Sequence, residues 1–275
     1  MILGFFWLGA IATADVEATA LSQIVDPGAE LSFVKRHHLL HGMDNAALSD
    51  GASVLIDFME RGEVPVGMRK DEYFSLANDI YDKLLAESVA TEQLLTHVLN
   101  VVPDAERESV WRDYCAQKLS TTLVHPAVSN EGVWNGLELL SRMMKGEFPE
   151  MQGTAFIAAC QLEPADLKVR HASIHPDFIG EQALRCASDE GSPLLDRVTA
   201  LQVAGRYLPE KAQVYASALL SADLQEVADM LKVSAIATLG QIGNNSHIPI
   251  LQKYRHSVDI RLRKAARVAL ERIRS

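Results

Sequence analysis

The sequence is poor in the residues that several kinds of site require, and each shortage excludes a class of protein. It has three cysteines in 275 residues, Cys115, Cys160 and Cys186, and none belongs to a CxxC pair. A zinc ribbon or a thioredoxin-type redox site needs such pairs, so the sequence predicts neither. Each cysteine lies in an apolar helical context, which predicts small buried side chains. If the protein is exported, one disulfide with one thiol left over is an open alternative.

Motifs for catalysis are missing as well. The chain has no G-x-S-x-G nucleophile elbow, no G-x-x-x-x-G-K-[ST] phosphate loop and no G-x-G-x-x-G dinucleotide turn. Its acidic residues are spaced along Ala- and Leu-rich helices in a way that is typical of a solvated helix face, and no two of them stand out as an acid/base pair. We therefore expect a protein that is not an enzyme, with no catalytic, cofactor-binding or metal-binding residue and no cofactor.

Histidines give the only metal-like spacing in the sequence. His37 and His41 lie one helical turn apart, and Asp44 is a candidate third ligand. Zinc needs three or four convergent ligands with outer support, and no Glu lies between these histidines as it does in H-E-x-x-H. We interpret the stretch as a polar, solvated helix face and keep a metal site as the alternative. His171 and His175 repeat the spacing, but a proline directly after His175 ends any helix there.

What the sequence does contain is a repeat close to its C-terminus. Five positions recur after an interval of 31 residues: Leu231, Lys232, Ala235, Leu239 and Ile242 match Leu262, Arg263, Ala266, Leu270 and Ile273. A looser copy lies earlier, where Arg197, Ala200, Ala204 and Gly205 align with Lys232, Ala235, Leu239 and Gly240. Small residues on an apolar helical stripe let a second helix approach closely. A period of roughly 30–45 residues with one helix pair per copy predicts a helical solenoid.

The rest of the chain also predicts helices. We find no period-2 apolar alternation long enough for a strand, so the predicted fold is all-α, with roughly a dozen or more helices in antiparallel pairs. The helices are predicted at residues 16–25, 29–41, 45–60, 71–86, 91–99, 103–119, 131–145, 155–162, 178–187, 193–206, 209–220, 224–242, 246–256 and 259–273.

The repeated residues resemble the HEAT repeat family. The shared features are a basic residue that opens the second helix of a pair, an Ala one turn later, a Gly near the close of two copies and an Asp-x-Arg turn; they are Arg197, Lys232, Arg263, Ala200, Ala235, Ala266, Gly205, Gly240, Asp259 and Arg261. The resemblance implies a right-handed α-α superhelix, in which the turn Asp and helix Arg of neighbouring units form a ladder. Here the ladder is incomplete, because Asp196 directly precedes Arg197. More diffusely, the chain resembles exported bacterial HEAT-repeat proteins of uncharacterised function.

The predicted organisation has three parts. Residues 1–14 form an apolar run that ends in Ala-Thr-Ala, which predicts a signal peptide, although no Lys or Arg precedes the run. The run is shorter than the roughly 20 residues of a membrane span, and its alternative is a buried first helix. Residues 15–125 are degenerate helical repeats or a helical cap, and residues 126–275 are HEAT-like repeats continuous with them. The mature protein is then periplasmic or secreted without a membrane span; without cleavage it is cytoplasmic.

Charge indicates which partners to expect. The net charge of −10 argues against nucleic acid, because phosphate backbones attract clustered cations. However, eight Lys and Arg residues crowd the last 25 positions against two acidic residues. The favoured interpretation is a solvated outer face on a terminal capping helix. The alternative is a docking surface for an acidic partner, made by Arg263, Lys264, Arg267 and Arg274.

The HEAT resemblance implies a habit of binding macromolecules and no particular reaction. The predicted function is a non-enzymatic scaffold whose concave face binds another protein or peptide. The alternative is a DNA-binding enzyme of the helical-repeat DNA glycosylase type, which the confinement of the basic cluster to the C-terminus disfavours. Trp111, Tyr114 and Trp134 are candidate hot spots for binding, but their helical spacing favours core packing.

Overall fold

The regular structure of this chain is helical, as the sequence predicts. The computed structural model describes residues 20–167, 169–221 and 227–274, and no strand occurs within those ranges. The predicted signal peptide, residues 1–14, lies outside them. None of the helices in the described ranges is both long enough and apolar enough to cross a membrane.

After a helical stretch at 20–25, the α helices follow one another with short connections. They are Phe33–Gly42 (α1), Asn45–Arg61 (α2), Lys70–Ala86 (α3), Thr91–Val101 (α4), Ser109–Leu123 (α5), Asn130–Met144 (α6), Gln152–Leu162 (α7), Pro176–Ser188 (α8), Leu194–Tyr207 (α9), Pro209–Ser221 (α10), Asp229–Ile242 (α11), Ile248–Tyr254 (α12) and Ile260–Arg274 (α13). Two short 3-10 helices, Ala172–Ile174 and Asn245–His247, precede α8 and α12.

Helix ends differ from the predictions where a short polar side chain bonds its own turn. The helix predicted from residue 103 begins at Ser109, because Asp104 accepts a hydrogen bond from the Glu106 backbone N–H at 3.0 Å and holds a turn. The Ser192 hydroxyl donates to Asp189 at 3.0 Å and does not cap α9, which begins after Pro193. The helix predicted from residue 246 begins at Ile248, because Ser246 donates its backbone N–H to the Asn244 side chain in the 3-10 turn before it. The structure thus corrects these start signals by a few residues.

The chain divides into two compact units. The first comprises Met1–Cys115 with His125–Gly132, and the second comprises Ala116–Val124 with Val133–Ser275. The predicted contrast between degenerate repeats at 15–125 and HEAT-like repeats at 126–275 stays a prediction.

In the second unit, alternate helices form two packed rows. Helices α7, α9, α11 and α13 contact one another in that order, and helices α8, α10 and α12 contact one another in theirs. The two helices also pack on each other within the pairs α8–α9, α10–α11 and α12–α13, which are therefore consecutive repeats. Short connections between packed neighbours make them antiparallel hairpins. This arrangement confirms the predicted all-α solenoid of helix pairs.

Small residues bring the helices of one row together. Ala200, Ala235 and Ala266, the repeated alanines, have no exposed surface. A Cβ added at Gly240 would lie 2.6 Å from the Cα of Ala269 on α13, so the two backbones meet there without an intervening side chain. The equivalent Gly205 of α9 would place a Cβ 2.7 Å from a methyl of Thr238 on α11. The repeated Gly position is therefore a point of close approach in two successive interfaces.

In the first unit, aromatic side chains fill the core between α2, α3 and α5. Phe58, Tyr73, Phe74 and Trp111 are buried, with ring centroids 5.2–6.3 Å apart from one to the next. The Tyr73 hydroxyl donates to the Phe58 carbonyl at 3.0 Å. Burial raises the pKa of this phenol to about 12, so it remains a donor throughout the physiological range.

Arg36 on α1 is a buried side chain of the first unit with an extensive set of hydrogen bonds. Its side chain is fully buried, and its guanidinium donates to five backbone carbonyls at 2.6–3.3 Å, those of Gln23, Ile24, Asp26, Ala29 and Leu31. The planar guanidinium group carries five N–H donors, which allows one side chain to bond all five carbonyls. Arg36 therefore fixes the helical stretch at 20–25 and the following turn onto α1.

Candidate functional site

The three repeat positions predicted to carry a basic residue lie near the starts of α9, α11 and α13, but their partners differ. Arg197 donates to the Ala187 carbonyl at 3.2 Å. Lys232 is buried and its ammonium lies 3.4 Å from the Asp229 carboxylate. Arg263 is exposed and donates to the Ser257 carbonyl at 2.8 Å. The basic residue therefore has the same position on the helix in each copy of the repeat, whereas its bonding partner differs from copy to copy.

A charged contact joins the last two repeats of the second unit. Arg261 pairs with Asp259, the predicted turn, with Nη2 at 2.7 Å from Oδ2, and the same Nη2 lies 3.9 Å from the carboxylate of Asp229 on α11. Hydrogen bonds from the side chain and backbone of Arg261 hold the pKa of Asp259 at about 2. Sequence reasoning missed Asp229, although it precedes Asp259 by 30 positions, close to the repeat interval.

A cavity of about 650 Å³ lies at this contact. Its polar lining includes Asp229, Lys232, Lys253 and Asp259, and its apolar lining comes from α10, α12 and α13. The fully exposed Val258 forms part of its edge. Concave space with a few charges of both signs among apolar side chains is suited to holding a peptide side chain or chain end.

Helix α13 borders this cavity and has a buried apolar side and an exposed side that carries most of its cations, together with the exposed Ile260 and Val268. Its apolar residues Leu262, Ala266, Ala269 and Leu270 are buried, whereas the predicted docking residues Arg263, Lys264, Arg267 and Arg274 are all exposed. Arg267 lies 3.9 Å from Glu271, a contact between two largely exposed side chains that is worth little in water. We call Arg263, Lys264, Arg267 and Arg274 the basic face.

The predicted aromatic candidates separate into two kinds. Trp111 is buried and Tyr114 is half-buried beside it, with ring centroids 6.4 Å apart, so the core interpretation holds for this pair. Trp134 on α6 is 49% exposed. Its ring and the imidazole ring of His171 form a T-shaped pair with centroids 4.8 Å apart. The core interpretation is therefore wrong for Trp134.

None of the three cysteines, all of which lie in the described part of the chain, forms a disulfide. Cys115 and Cys186 are buried as predicted, and Cys160 is partly exposed. Burial raises the pKa of Cys186 to about 11 and raises that of Cys160 as well, so both are protonated at neutral pH. A protonated thiol is a poorer nucleophile than a thiolate.

The histidine pairs are placed differently from one another. His175 caps α8 by accepting the Asp177 backbone N–H, and His171 lies 3.3 Å from Glu138, so these two do not converge. His37 and His41 do converge on one side of α1, with ring centroids 4.3 Å apart. Asp44, the predicted third ligand, instead caps α2 by accepting the Ala47 backbone N–H at 2.9 Å.

Comparisons with known proteins give a limited result. No family model matches the chain, and no curated protein matches it. Among solved structures, the chain is similar to human deoxyhypusine hydroxylase in complex with glycerol, at 18% identity over 97% of this chain and 99% of that one, with a TM-score of 0.38. It is also similar to a designed armadillo repeat protein, YIII(Dq)4CqI, at 16% identity over 92% and 99%, with a TM-score of 0.44. These low values transfer neither an activity nor a partner to this chain.

Proposed function

We propose that this protein is a non-enzymatic scaffold of the HEAT type that binds an acidic segment of another protein at the C-terminal end of its second unit. The observation that carries the proposal is the basic face of α13. Four cations project into solvent from a helix whose opposite side is packed into the stack. The HEAT assignment itself is supported by the repeated Ala and Gly positions, which lie buried where successive helices meet.

Charge explains why an acidic segment is the expected partner. The basic face lies on a protein of net charge −10, so a free acidic chain is repelled by most of the surface and attracted at one end. A single exposed ion pair contributes at most about 1 kcal/mol, but several in a row add and also steer the encounter. The neighbouring cavity balances Lys232 and Lys253 against Asp229 and Asp259 in its lining, so its contribution to binding is apolar contact area.

Fluorescence anisotropy with a labelled Glu-rich 12-residue peptide at low salt tests the proposal. Reversal of two charges in Lys264→Glu/Arg267→Glu is expected to weaken binding by at least 10-fold. Lys211→Glu/Arg170→Glu is the matched control, because both residues are exposed cations of the second unit outside α13 and the change in net charge is the same. We expect the control to weaken binding less than 3-fold. Equal losses in the two variants would contradict a localised site.

The DNA-binding alternative is tested in the same assay with a 20-bp duplex. A protein that holds DNA needs cations along a groove, whereas here they are concentrated on α13. We therefore expect the duplex to bind more weakly than the acidic peptide at equal salt. Tighter binding of the duplex, with a steep loss of affinity as salt rises, would reject the scaffold proposal in favour of a nucleic-acid protein.

A further inference from the structure

Two imidazoles and a carboxylate meet in the first unit, between α1 and α3. His37 and His41 lie one turn apart on α1, which places side chains on the same side of a helix. Asp79 comes from α3, which packs against α1. The His37 Nε2 lies 3.4 Å from an Asp79 carboxylate oxygen, and one ligand atom from each residue lies within 4.8 Å of the other two. Asp79 follows His37 by 42 positions in the sequence, so the packing of α3 on α1 brings the carboxylate to the two histidines.

We propose that His37, His41 and Asp79 bind a divalent transition-metal ion, with Zn²⁺ as the best-suited ion, and that the bound ion clamps α1 to α3. Nitrogen from imidazole and oxygen from carboxylate are donors that zinc accepts readily. Three protein ligands leave a position for water, which suits a site at the surface. This inference concerns the first unit and is independent of the basic face of α13.

The distances are close to those that a bound ion requires. Ligand atoms on a tetrahedral zinc with bonds of about 2.0–2.1 Å lie roughly 3.3 Å from one another. The His37–Asp79 pair is already at that spacing. The widest separation, 4.8 Å at most, closes by a rotation of an imidazole or carboxylate, and His41 is exposed and therefore unobstructed by a buried core.

The surroundings hold the ligands in place and leave the site accessible. Helix α1 is anchored by the buried Arg36, whose guanidinium is engaged with backbone carbonyls. On α3, Lys83 is one turn beyond Asp79, but its ammonium lies 3.6 Å from Glu87, farther along the chain. His37 and Asp79 are half-buried, so the ion enters from solvent on the His41 side. Ligands carried on anchored helices keep their relative positions, which favours metal binding.

Titration calorimetry of the full chain with ZnCl₂, after removal of metal by a chelator, tests the site. We expect one ion per chain, with His41→Ala, His37→Ala and Asp79→Asn each weakening binding by at least 10-fold. The matched control is His38→Ala, because His38 lies between the two ligands on the same helix, is exposed and points about 100° away from His37. We expect this control to bind Zn²⁺ within 3-fold of the unchanged chain.

Two further readouts separate a defined site from adventitious binding. Excess Zn²⁺ is expected to raise the melting temperature of the unchanged chain and of His38→Ala, but not that of His41→Ala, since an ion that binds only the folded state stabilises it. Co²⁺ is expected to give visible d–d absorption that is lost in His41→Ala. The proposal is overturned if His41→Ala keeps the affinity of the unchanged chain, or if His38→Ala loses as much as His41→Ala.

Discussion

The first unit contains a buried arginine that bonds several segments at once, and the second unit contains glycines at repeated positions where helices come into close contact. In the first unit, Arg36 and Tyr73 are buried and bond backbone carbonyls of other segments. In the second unit, Gly205 and Gly240 let consecutive helices of one row touch at the same repeat position. The first kind of contact depends on one residue that serves several partners, whereas the second recurs and affects only adjacent repeats. The predictions below test this contrast in order of expected size.

Replacement of Arg36 is expected to have the largest effect. Arg36→Met leaves five carbonyls without this donor in a buried setting, and we expect a loss of about 3–5 kcal/mol in the free energy of unfolding. Urea denaturation followed by circular dichroism measures it. Lys35→Met is the control, because the neighbouring Lys35 is exposed and should change stability by less than about 0.5 kcal/mol. A loss below about 1 kcal/mol for Arg36→Met would remove the contrast between the units.

Gly240→Ala is expected to be the most damaging small change in the second unit. Its added Cβ meets the backbone of Ala269, which has no flexible end to move aside, and we expect a loss of about 2–4 kcal/mol. Gly205→Ala meets a methyl of Thr238 and is expected to cost less, about 1–3 kcal/mol. Gly42→Ala is the control, because no atom lies within 4 Å of its added Cβ. Thermal unfolding that ranks Gly42→Ala with Gly240→Ala would contradict close approach as the cause.

A pair of tyrosines compares the same hydrogen bond in the two units. Tyr73 donates to Phe58 in the first unit, and Tyr254 donates to Leu220 in the second, both at 3.0 Å and both buried. Each Tyr→Phe change removes only the hydroxyl and is expected to cost about 1–2 kcal/mol. Equal losses in the free energy of unfolding, measured by urea denaturation, would show that a buried hydrogen bond contributes the same stability in both units. The difference between the units would then lie in how closely their helices approach one another. A loss near zero at Tyr254 would sharpen the contrast further.

The smallest expected effect is on the dependence of the free energy of unfolding on pH. In both units a buried histidine is expected to make the protein less stable as pH falls. Burial lowers the pKa of His97 in the first unit and of His247 in the second, and for His97 Glu60 opposes this shift while Arg107 supports it. Because the folded pKa is below the unfolded value of about 6.5, the unfolded state takes up protons first as pH falls. Each histidine therefore contributes stability above about pH 6.5 that is lost below it.

The measurement for this prediction is urea denaturation at pH 7.5 and 5.5. Each histidine can account for at most about 1.4 kcal/mol of the loss, because one pH unit below 6.5 corresponds to that free energy. The single variants His97→Gln and His247→Gln are each expected to lose less free energy of unfolding between pH 7.5 and 5.5 than the unchanged chain. His256, which is exposed, provides the control variant His256→Gln. An unchanged pH dependence in both buried-site variants would show that other groups control it.

The sequence predicts the helices and the repeat well because both depend on local or periodic signals. Helix α3 was expected at 71–86 and runs from Lys70 to Ala86, and the repeated alanines are buried as a stacked helix requires. The residues that join distant segments were not predictable in this way. Asp79 meets His37 only because α1 packs on α3, and Asp44 was preferred as the third ligand because it is close in sequence. Arg36 gives no sequence signal, since an arginine on a helix usually faces water.

The direct meeting of α11 and α13 at Gly240 also fixes the register between these helices. On the same side of α11, one turn before Gly240, lies Ile236, which carries a branched apolar side chain. If α13 slid along α11 by one turn in that direction, the backbone at Ala269 would collide with Ile236, because the space at Gly240 exists only where there is no side chain. The basic face of α13 is therefore held at one position along α11.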